Sequence, residues 1–294
     1  MKTPQISHPK LANKLKISQL YLKREDQHKY DSHKGRSIPH MIKTHHEEGW
    51  DDFVISSSGN AAIAAIKYIT NHNKNNDKKL YLAVFVGKKI DPKKLKTLSE
   101  LALLDDGITI EQVEKPKQTA FQLDKYEKAK YLRQSTDESA LFGYNSLAEE
   151  LDKIENLQAI FIPTSSGTTA EALGVAFKDL KNNPQIHIVQ TEYCHPIACK
   201  FDNDFIDKKE ISIAGAIVDR VAHRKNEVIE VIKNSGGSGW VVNDDDIKQA
   251  QELVQKTTDI HISPNSALSI AGLKKACLQG WKFEGEVCCL ITGR

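Results

Sequence analysis

Polar and apolar residues alternate along the chain in two patterns. Short runs of apolar and β-branched residues that end at polar or turn-forming residues predict buried strands. The clearest of these runs are Leu80–Val86, Ala159–Thr164, Ile186–Glu192 and Glu286–Thr292. Amphipathic patterns typical of helices lie between them, after Asn60, from Ser146 and from Asp244. Strands that alternate with helices predict an α/β fold in which parallel sheets are covered on both faces.

Composition and charge exclude several classes of function. The 294 residues are 39% hydrophobic and 27% charged, which is typical of a globular protein, and the net charge of +2 provides no strong field for nucleic acid or membrane. No apolar stretch approaches the roughly 20 residues of a membrane helix. The N-terminal segment lacks the apolar region of a secretory signal, and the five cysteines lack metal-binding spacing. We therefore expect a cytoplasmic protein with reduced thiols and no metal.

A loop rich in hydroxyl groups follows the strand that ends at Thr164. It contains the sequence Ser-Ser-Gly-Thr-Thr and leads into a helix, with Thr168 and Glu171 placed as a capping box in which Thr168 is the N-cap. Its backbone N–H groups, hydroxyls and helix N-terminus suit a phosphate group. The loop lacks the Gly-Lys-Ser/Thr ending of a nucleoside-triphosphate loop. An ordinary capped turn is the alternative interpretation.

Two further loops carry candidate chemistry. Residues Ser57, Ser58, Gly59 and Asn60 again lie between a strand and a helix, where they could hold a carboxylate or form a simple glycine turn. The amide of Asn60 could donate to a phenolate-type oxygen. Lys34 lies in the loop Ser-His-Lys-Gly-Arg-Ser. On its own it indicates a solvated cation, because a Schiff-base lysine also needs a lowered pKa and an aldehyde.

Five segments in order along the chain resemble the motifs of one family. They are LYLKREDQHKYDSHKGR at Leu20–Arg36, SSGN at Ser57–Asn60, PTSSGTTAEALG at Pro163–Gly174, ISPNSALSIAGL at Ile262–Leu273 and LITGR at Leu290–Arg294. Together they are similar to the fold-type II pyridoxal-phosphate enzymes, which include threonine synthase, serine/threonine dehydratase, cysteine synthase and the tryptophan synthase β chain. The resemblance spans nearly the whole chain.

This resemblance implies a cofactor, pyridoxal 5'-phosphate, and a role for each motif. Lys34 would be the catalytic residue that holds the cofactor as a Schiff base. The amide of Asn60 would donate a hydrogen bond to the oxygen on the cofactor ring. The hydroxyl of Thr292 would form a hydrogen bond with the nitrogen of the cofactor ring. The substrate carboxylate would bind to Ser57, Ser58 and Gly59. The cofactor phosphate would bind to the hydroxyl-rich loop, at Ser165, Ser166, Gly167, Thr168 and Thr169.

The resemblance also implies an architecture. Two open, twisted α/β domains would enclose the cofactor cleft between them, the smaller formed by residues 38–141 and the larger by residues 1–37 plus 142–294. A homodimer is expected on the same ground.

The segments point to more than one reaction. SIAGAIVDR at Ser212–Arg220 and the C-terminal motifs most resemble threonine synthase, whereas KRED at Lys23–Asp26 is closer to dehydratases and the tryptophan synthase β chain. We expect a lyase that converts phosphohomoserine to threonine and phosphate, with a serine/threonine dehydratase as the alternative. The second phosphate of phosphohomoserine would need a cation. Arg36 is the first candidate, ahead of Lys23, Arg220 and Arg224, although each could instead form a salt bridge.

Some positions depart from the family pattern. The usual asparagine-proline-threonine-glycine run before the lysine is His28-Lys29-Tyr30-Asp31, Ser263 stands where glutamate is common, and the sequence ends at Arg294. These departures favour a third possibility, a non-catalytic relative that still binds the cofactor.

Overall fold

The computed structural model describes residues 2–293 and divides into two compact units. The first unit contains both ends of the chain, up to His28 and from Tyr144 onward, and the second is Lys29–Gly143. The domain boundaries expected from the resemblance stay a prediction.

Ten strands are described along the chain. They are β1 (Gln5–Ser7), β2 (Leu20–Arg24), β3 (Asp52–Ser56), β4 (Tyr81–Gly87), β5 (Ile108–Val113), β6 (Lys130–Tyr131), β7 (Leu157–Pro163), β8 (Gln185–Thr191), β9 (Gly239–Val242) and β10 (Glu286–Ile291). The four strands predicted from apolar runs correspond to β4, β7, β8 and β10, and each agrees to within two residues at its ends.

Eleven α-helices are described in the same residues. They are α1 (Pro9–Leu15), α2 (Lys34–Glu47), α3 (Asn60–Asn75), α4 (Pro92–Ala102), α5 (Pro116–Lys125), α6 (Ser139–Phe142), α7 (Asn145–Leu151), α8 (Thr168–Ala176), α9 (Lys225–Ser235), α10 (Asp244–Thr258) and α11 (Pro264–Leu278). The helices predicted after Asn60 and from Asp244 are α3 and α10. The helix predicted from Ser146 ends early, at Leu151. It ends there because the carboxylate and the carbonyl of Asp152 accept hydrogen bonds from Asn182.

The first unit has a six-stranded sheet in the order β1-β2-β10-β7-β8-β9. All neighbouring strands are parallel except the edge pair of β1 with β2, which is antiparallel, so the sheet is mixed. β10 lies in the centre, and its pairing with β7 contains a register irregularity at Glu286 and Val287. Because strands β2, β7, β8, β9 and β10 point the same way, the loops that follow them lie at one edge of the sheet.

The second unit has a four-stranded parallel sheet in the order β5-β4-β3-β6. Alternate residues of β3 enter different apolar clusters: Phe53 and Ile55 belong to one, and Val54 belongs to the other. Both faces of this sheet are therefore covered, as the sequence pattern predicts. α2 is followed by β3 after a short connection, and β3 is followed by α3, so both helices run opposite to β3. The N-termini of α2 and α3 consequently lie toward the same edge of the sheet.

None of the described helices is long and apolar enough to cross a membrane. Residues 2–293 also contain no cluster of three or more His, Cys, Asp or Glu side chains placed to hold a metal ion.

Candidate functional site

Lys34 is the first residue of α2. Its backbone N–H donates to the Ser32 hydroxyl at 3.3 Å, which fixes the start of the helix. The side chain is partly buried, and burial lowers the pKa of Lys34 to about 8. Within residues 2–293 its ammonium group has no hydrogen-bond or ion-pair partner. A lysine that is desolvated and unpaired is suited to nucleophilic attack on an aldehyde.

The loop after β3 leads directly into α3. Gly59 is the N-cap and has no side chain with which to cap the helix, and its N–H donates to the Ser57 hydroxyl at 3.3 Å. The N–H groups of Asn60 and Ala61 therefore have no acceptor in the described part of the chain, and neither does the amide of Asn60. An open helix N-terminus of this kind suits a carboxylate. These groups lie toward the same edge of the second unit as Lys34.

Arg36 is buried and lies two residues after Lys34 in α2. Residues two positions apart in an α-helix are separated by about 200° around its axis, so Lys34 and Arg36 lie on different faces. The backbone of Arg36 and Ser37 packs against Gly143: an added Cβ at Gly143 would lie 2.6 Å from the Arg36 carbonyl oxygen. This geometry weighs against Arg36 as a direct ligand beside Lys34, and its predicted role in substrate binding stays a prediction.

The hydroxyl-rich loop follows β7 in the first unit. Its N-cap is Gly167, with φ of +97°, so the predicted capping box with Thr168 as N-cap is wrong. Glu171 does not fold back on the cap because its carboxylate accepts from Arg224 at 3.0 Å, and both side chains are buried. An N-cap without a side chain leaves the first turn of α8 open to an external anion.

Several backbone N–H groups of this loop are available to an external acceptor. The N–H groups of Ser166, Gly167 and Thr169 have no acceptor among residues 2–293. The Ser165 hydroxyl accepts from the N–H groups of Val218 and Asp219, both at 3.2 Å, so its acceptor positions are occupied while its proton is free to donate. These observations fit a phosphate group at this loop.

Thr292 follows β10, the strand next to β7, and is buried. The adjacent carbonyl of Gly293 accepts from the hydroxyls of Ser263 at 2.7 Å and Ser266 at 2.9 Å. Ser263 also accepts from the N–H of Ser266 as the N-cap of α11. The Ser-Pro-Asn-Ser segment therefore fixes the backbone beside Thr292, a role that its sequence did not reveal. Arg294, the last residue of the LITGR motif, lies outside the described residues.

Two of the remaining cation candidates are already neutralised. Lys23 is fully buried, with its ammonium 2.5 Å from Glu150 and 3.0 Å from the Thr3 carbonyl. Arg224 pairs with Glu171. Both form salt bridges, the alternative considered for them above. Arg220 is exposed and has no ion-pair partner in the described part of the chain.

The predicted residues thus form two groups, one in each unit. The second unit brings Lys34 and the loop Ser57–Asn60 toward one sheet edge, and the first brings the loop Ser165–Thr169 and Thr292 to another. That both groups bind one cofactor stays a prediction.

Two α/β sheets, a partly buried lysine with no ion-pair partner in residues 2–293 and open helix N-termini are consistent with a fold-type II enzyme. The chain belongs to the pyridoxal-phosphate dependent enzyme family, whose sequence profile matches residues 1–293. Its cofactor is accordingly pyridoxal 5'-phosphate.

Individual relatives show more than one activity. The chain is 27% identical to threonine synthase of Methanocaldococcus jannaschii, over 99% of this chain and 74% of that protein. It is 24% identical to serine racemase of Dictyostelium discoideum, over 99% of this chain and 89% of that protein. The solved structure of a Dictyostelium discoideum serine racemase superposes with a TM-score of 0.82 at 22% identity, covering 100% of this chain and 92% of the other. At that identity, the superposition shows the fold alone.

Proposed function

We propose that this enzyme is a lyase that acts on a small β- or γ-substituted amino acid by elimination or replacement, with conversion of phosphohomoserine to threonine and phosphate as its reaction. The observation that carries this proposal is the similarity to threonine synthases of two archaea, at 27% and 26% identity over 99% of this chain.

Lys34 has two roles in this proposal. As a neutral amine it would hold the cofactor covalently, which its lowered pKa and its lack of an ion-pair partner in residues 2–293 favour. Pyridoxal phosphate, when bound, supplies an electron sink for the electron pair left on the α-carbon of the substrate. The amine of Lys34, when it is not bound to the cofactor, would accept the proton from that α-carbon.

The loop before α3 binds the substrate carboxylate. Ser57 and Ser58 contribute hydroxyls, and the open N-terminus of α3 contributes N–H groups and a positive dipole end. The amide of Asn60 donates to the ring oxygen. These contacts would orient the amino acid so that its α-hydrogen faces Lys34.

The remaining residues that we predict to contact the cofactor belong to the first unit. The cofactor phosphate binds to the open N–H groups of the Ser165–Thr169 loop and to the free proton of Ser165. Thr292 donates or accepts at the ring nitrogen. A neutral hydroxyl stabilises a proton on that nitrogen less than a carboxylate would, which favours elimination and replacement over transamination.

The KRED segment at Lys23–Asp26, which resembles dehydratases, forms ion pairs and hydrogen bonds in the first unit. Lys23 pairs with Glu150, Arg24 pairs with Asp26 at 2.7 Å, and Glu25 accepts from the Thr3 hydroxyl at 2.5 Å. These side chains pair with one another and with neighbouring segments of the first unit, so the segment has a structural role.

Supplying phosphohomoserine, serine and threonine separately is expected to give turnover with phosphohomoserine only. The products to measure are inorganic phosphate and threonine, in equal amounts. Ammonia and a 2-oxo acid from serine or threonine would support the dehydratase instead. Cofactor binding without turnover of any of the three would support the non-catalytic relative.

Arg220→Ala is expected to raise KM for phosphohomoserine about tenfold, with a smaller change in kcat, because arginine binds phosphate oxygens with two donors. Arg220 is favoured over Lys23 and Arg224 because those two already pair with buried carboxylates. Steady-state kinetics of phosphate release measures the effect. Lys209→Ala, an exposed cation in the same irregular segment, is the matched control. An unchanged KM in Arg220→Ala would exclude Arg220 from the second phosphate site and leave Arg36→Ala to be tested.

A further inference from the structure

The turn that leads to Lys34 has an unusual backbone. Asp31, three residues before Lys34, has φ of +65°, in the left-handed region that residues with a side chain rarely adopt. The residues His28–Asp31 replace the run that ends in glycine in the family pattern, so Asp31 occupies the place of that glycine. Glycine adopts positive φ without steric cost, whereas aspartate adopts it at a modest cost that a side-chain interaction can offset.

Lys67 supplies that interaction. Its ammonium forms an ion pair with the Asp31 carboxylate, across 36 positions of sequence. The two side chains are 28% and 35% exposed, so the pair is partly shielded from solvent. Lys67 lies on α3 seven residues after Asn60, which places both on one face of the helix. The pair therefore connects the turn before Lys34 to the helix that begins at Asn60.

We propose that Lys67 is a positioning residue for Lys34: its ion pair with Asp31 holds the left-handed turn from which α2 and Lys34 begin. This inference rests on the proposed role of Lys34 as the cofactor lysine. It accounts for an aspartate in the left-handed turn immediately before that lysine. In this proposal Lys67 acts on Lys34 through Asp31.

The test is a set of variants assayed for attachment of pyridoxal phosphate to Lys34. The rate is measured by borohydride reduction at timed intervals and quantification of the peptide that contains Lys34. Lys67→Met and Asp31→Asn each remove the ion pair and are expected to slow attachment roughly two- to fivefold. Lys67→Arg keeps the charge and is expected to retain the rate. Lys74→Met removes an exposed lysine of the same helix that has no ion-pair partner among the described residues, and is the matched control.

The decisive variant combines Lys67→Met with Asp31→Gly. Glycine adopts the left-handed turn without a partner, so the double variant is expected to regain the attachment rate that Lys67→Met loses. A purely structural ion pair would instead lower the thermal midpoint of Lys67→Met while attachment at Lys34 proceeds at the original rate, and that result would overturn the inference. Failure of the double variant to recover would overturn it as well.

The same experiment separates this inference from the proposed function. Attachment to a lysine other than Lys34 in the unaltered chain would overturn both. Attachment to Lys34 at equal rates in the unaltered chain and in Lys67→Met would overturn the positioning role alone.

Discussion

Lys34→Ala is expected to abolish covalent attachment of pyridoxal phosphate and to lower turnover roughly a thousandfold or more, because both the attachment point and the base for the α-proton are lost. The fold should remain, since the Lys34 ammonium has no partner within residues 2–293 whose charge would be left unpaired. The measurements are the visible absorbance of the bound cofactor, borohydride trapping followed by peptide mapping, and turnover of phosphohomoserine. Lys43→Ala, which removes an exposed lysine of the same helix, is the control.

The pH profile of the unaltered enzyme tests the same residue. Only the neutral amine attacks an aldehyde, so attachment should accelerate as the pH rises through about 8, the pKa to which burial lowers Lys34, and then level off. At pH 7 about a tenth of the lysine is neutral. An ordinary lysine would continue to gain reactivity to above pH 10, and such a profile would contradict the assignment of Lys34.

Gly143→Ala is expected to lower the free energy of unfolding by roughly 1–3 kcal/mol and to slow cofactor attachment. A Cβ at this position would lie 2.6 Å from both the Arg36 carbonyl oxygen and the Ser37 Cα, and these are backbone atoms that no rotamer change can move. The start of α2, where Lys34 lies, would have to shift. Urea denaturation and timed borohydride trapping measure the two effects.

Gly87→Ala is the control for this prediction. Gly87 ends β4 in the same unit, and an added Cβ there would meet no atom within 4 Å. If Gly143→Ala matches Gly87→Ala in both stability and attachment rate, the close approach of Gly143 to α2 does not constrain Lys34.

The sequence predicted what depends on local pattern. Apolar runs located β4, β7, β8 and β10, and the polar loops after Ser56 and Pro163 lie at strand ends, as parallel sheets require. Lys34 could be singled out only by resemblance, because its lowered pKa results from burial, which the local sequence pattern does not show.

Side-chain partners were not predictable, because they depend on tertiary contacts. The spacing of Thr168 and Glu171 is that of a capping box, yet Glu171 pairs with Arg224, which is 53 positions away. Lys23 was a candidate for the second phosphate site, and its ammonium is buried against Glu150. The same limitation applied to Asp31. Its proposed role depends on its backbone φ angle and on its ion pair with Lys67, and neither follows from the sequence.

The parallel pairing of β7 with β10 determines the distance between two parts of the proposed cofactor site. The phosphate loop and Thr292 follow adjacent strands, which lie about 4.8 Å apart, so their separation is determined by the sheet and not by the loops. A substitution in the loop, at Ser165 or Ser166 for example, would therefore leave this spacing unchanged. A slip of one residue in β10 would be far less tolerable, because it would turn Thr292 to the opposite face.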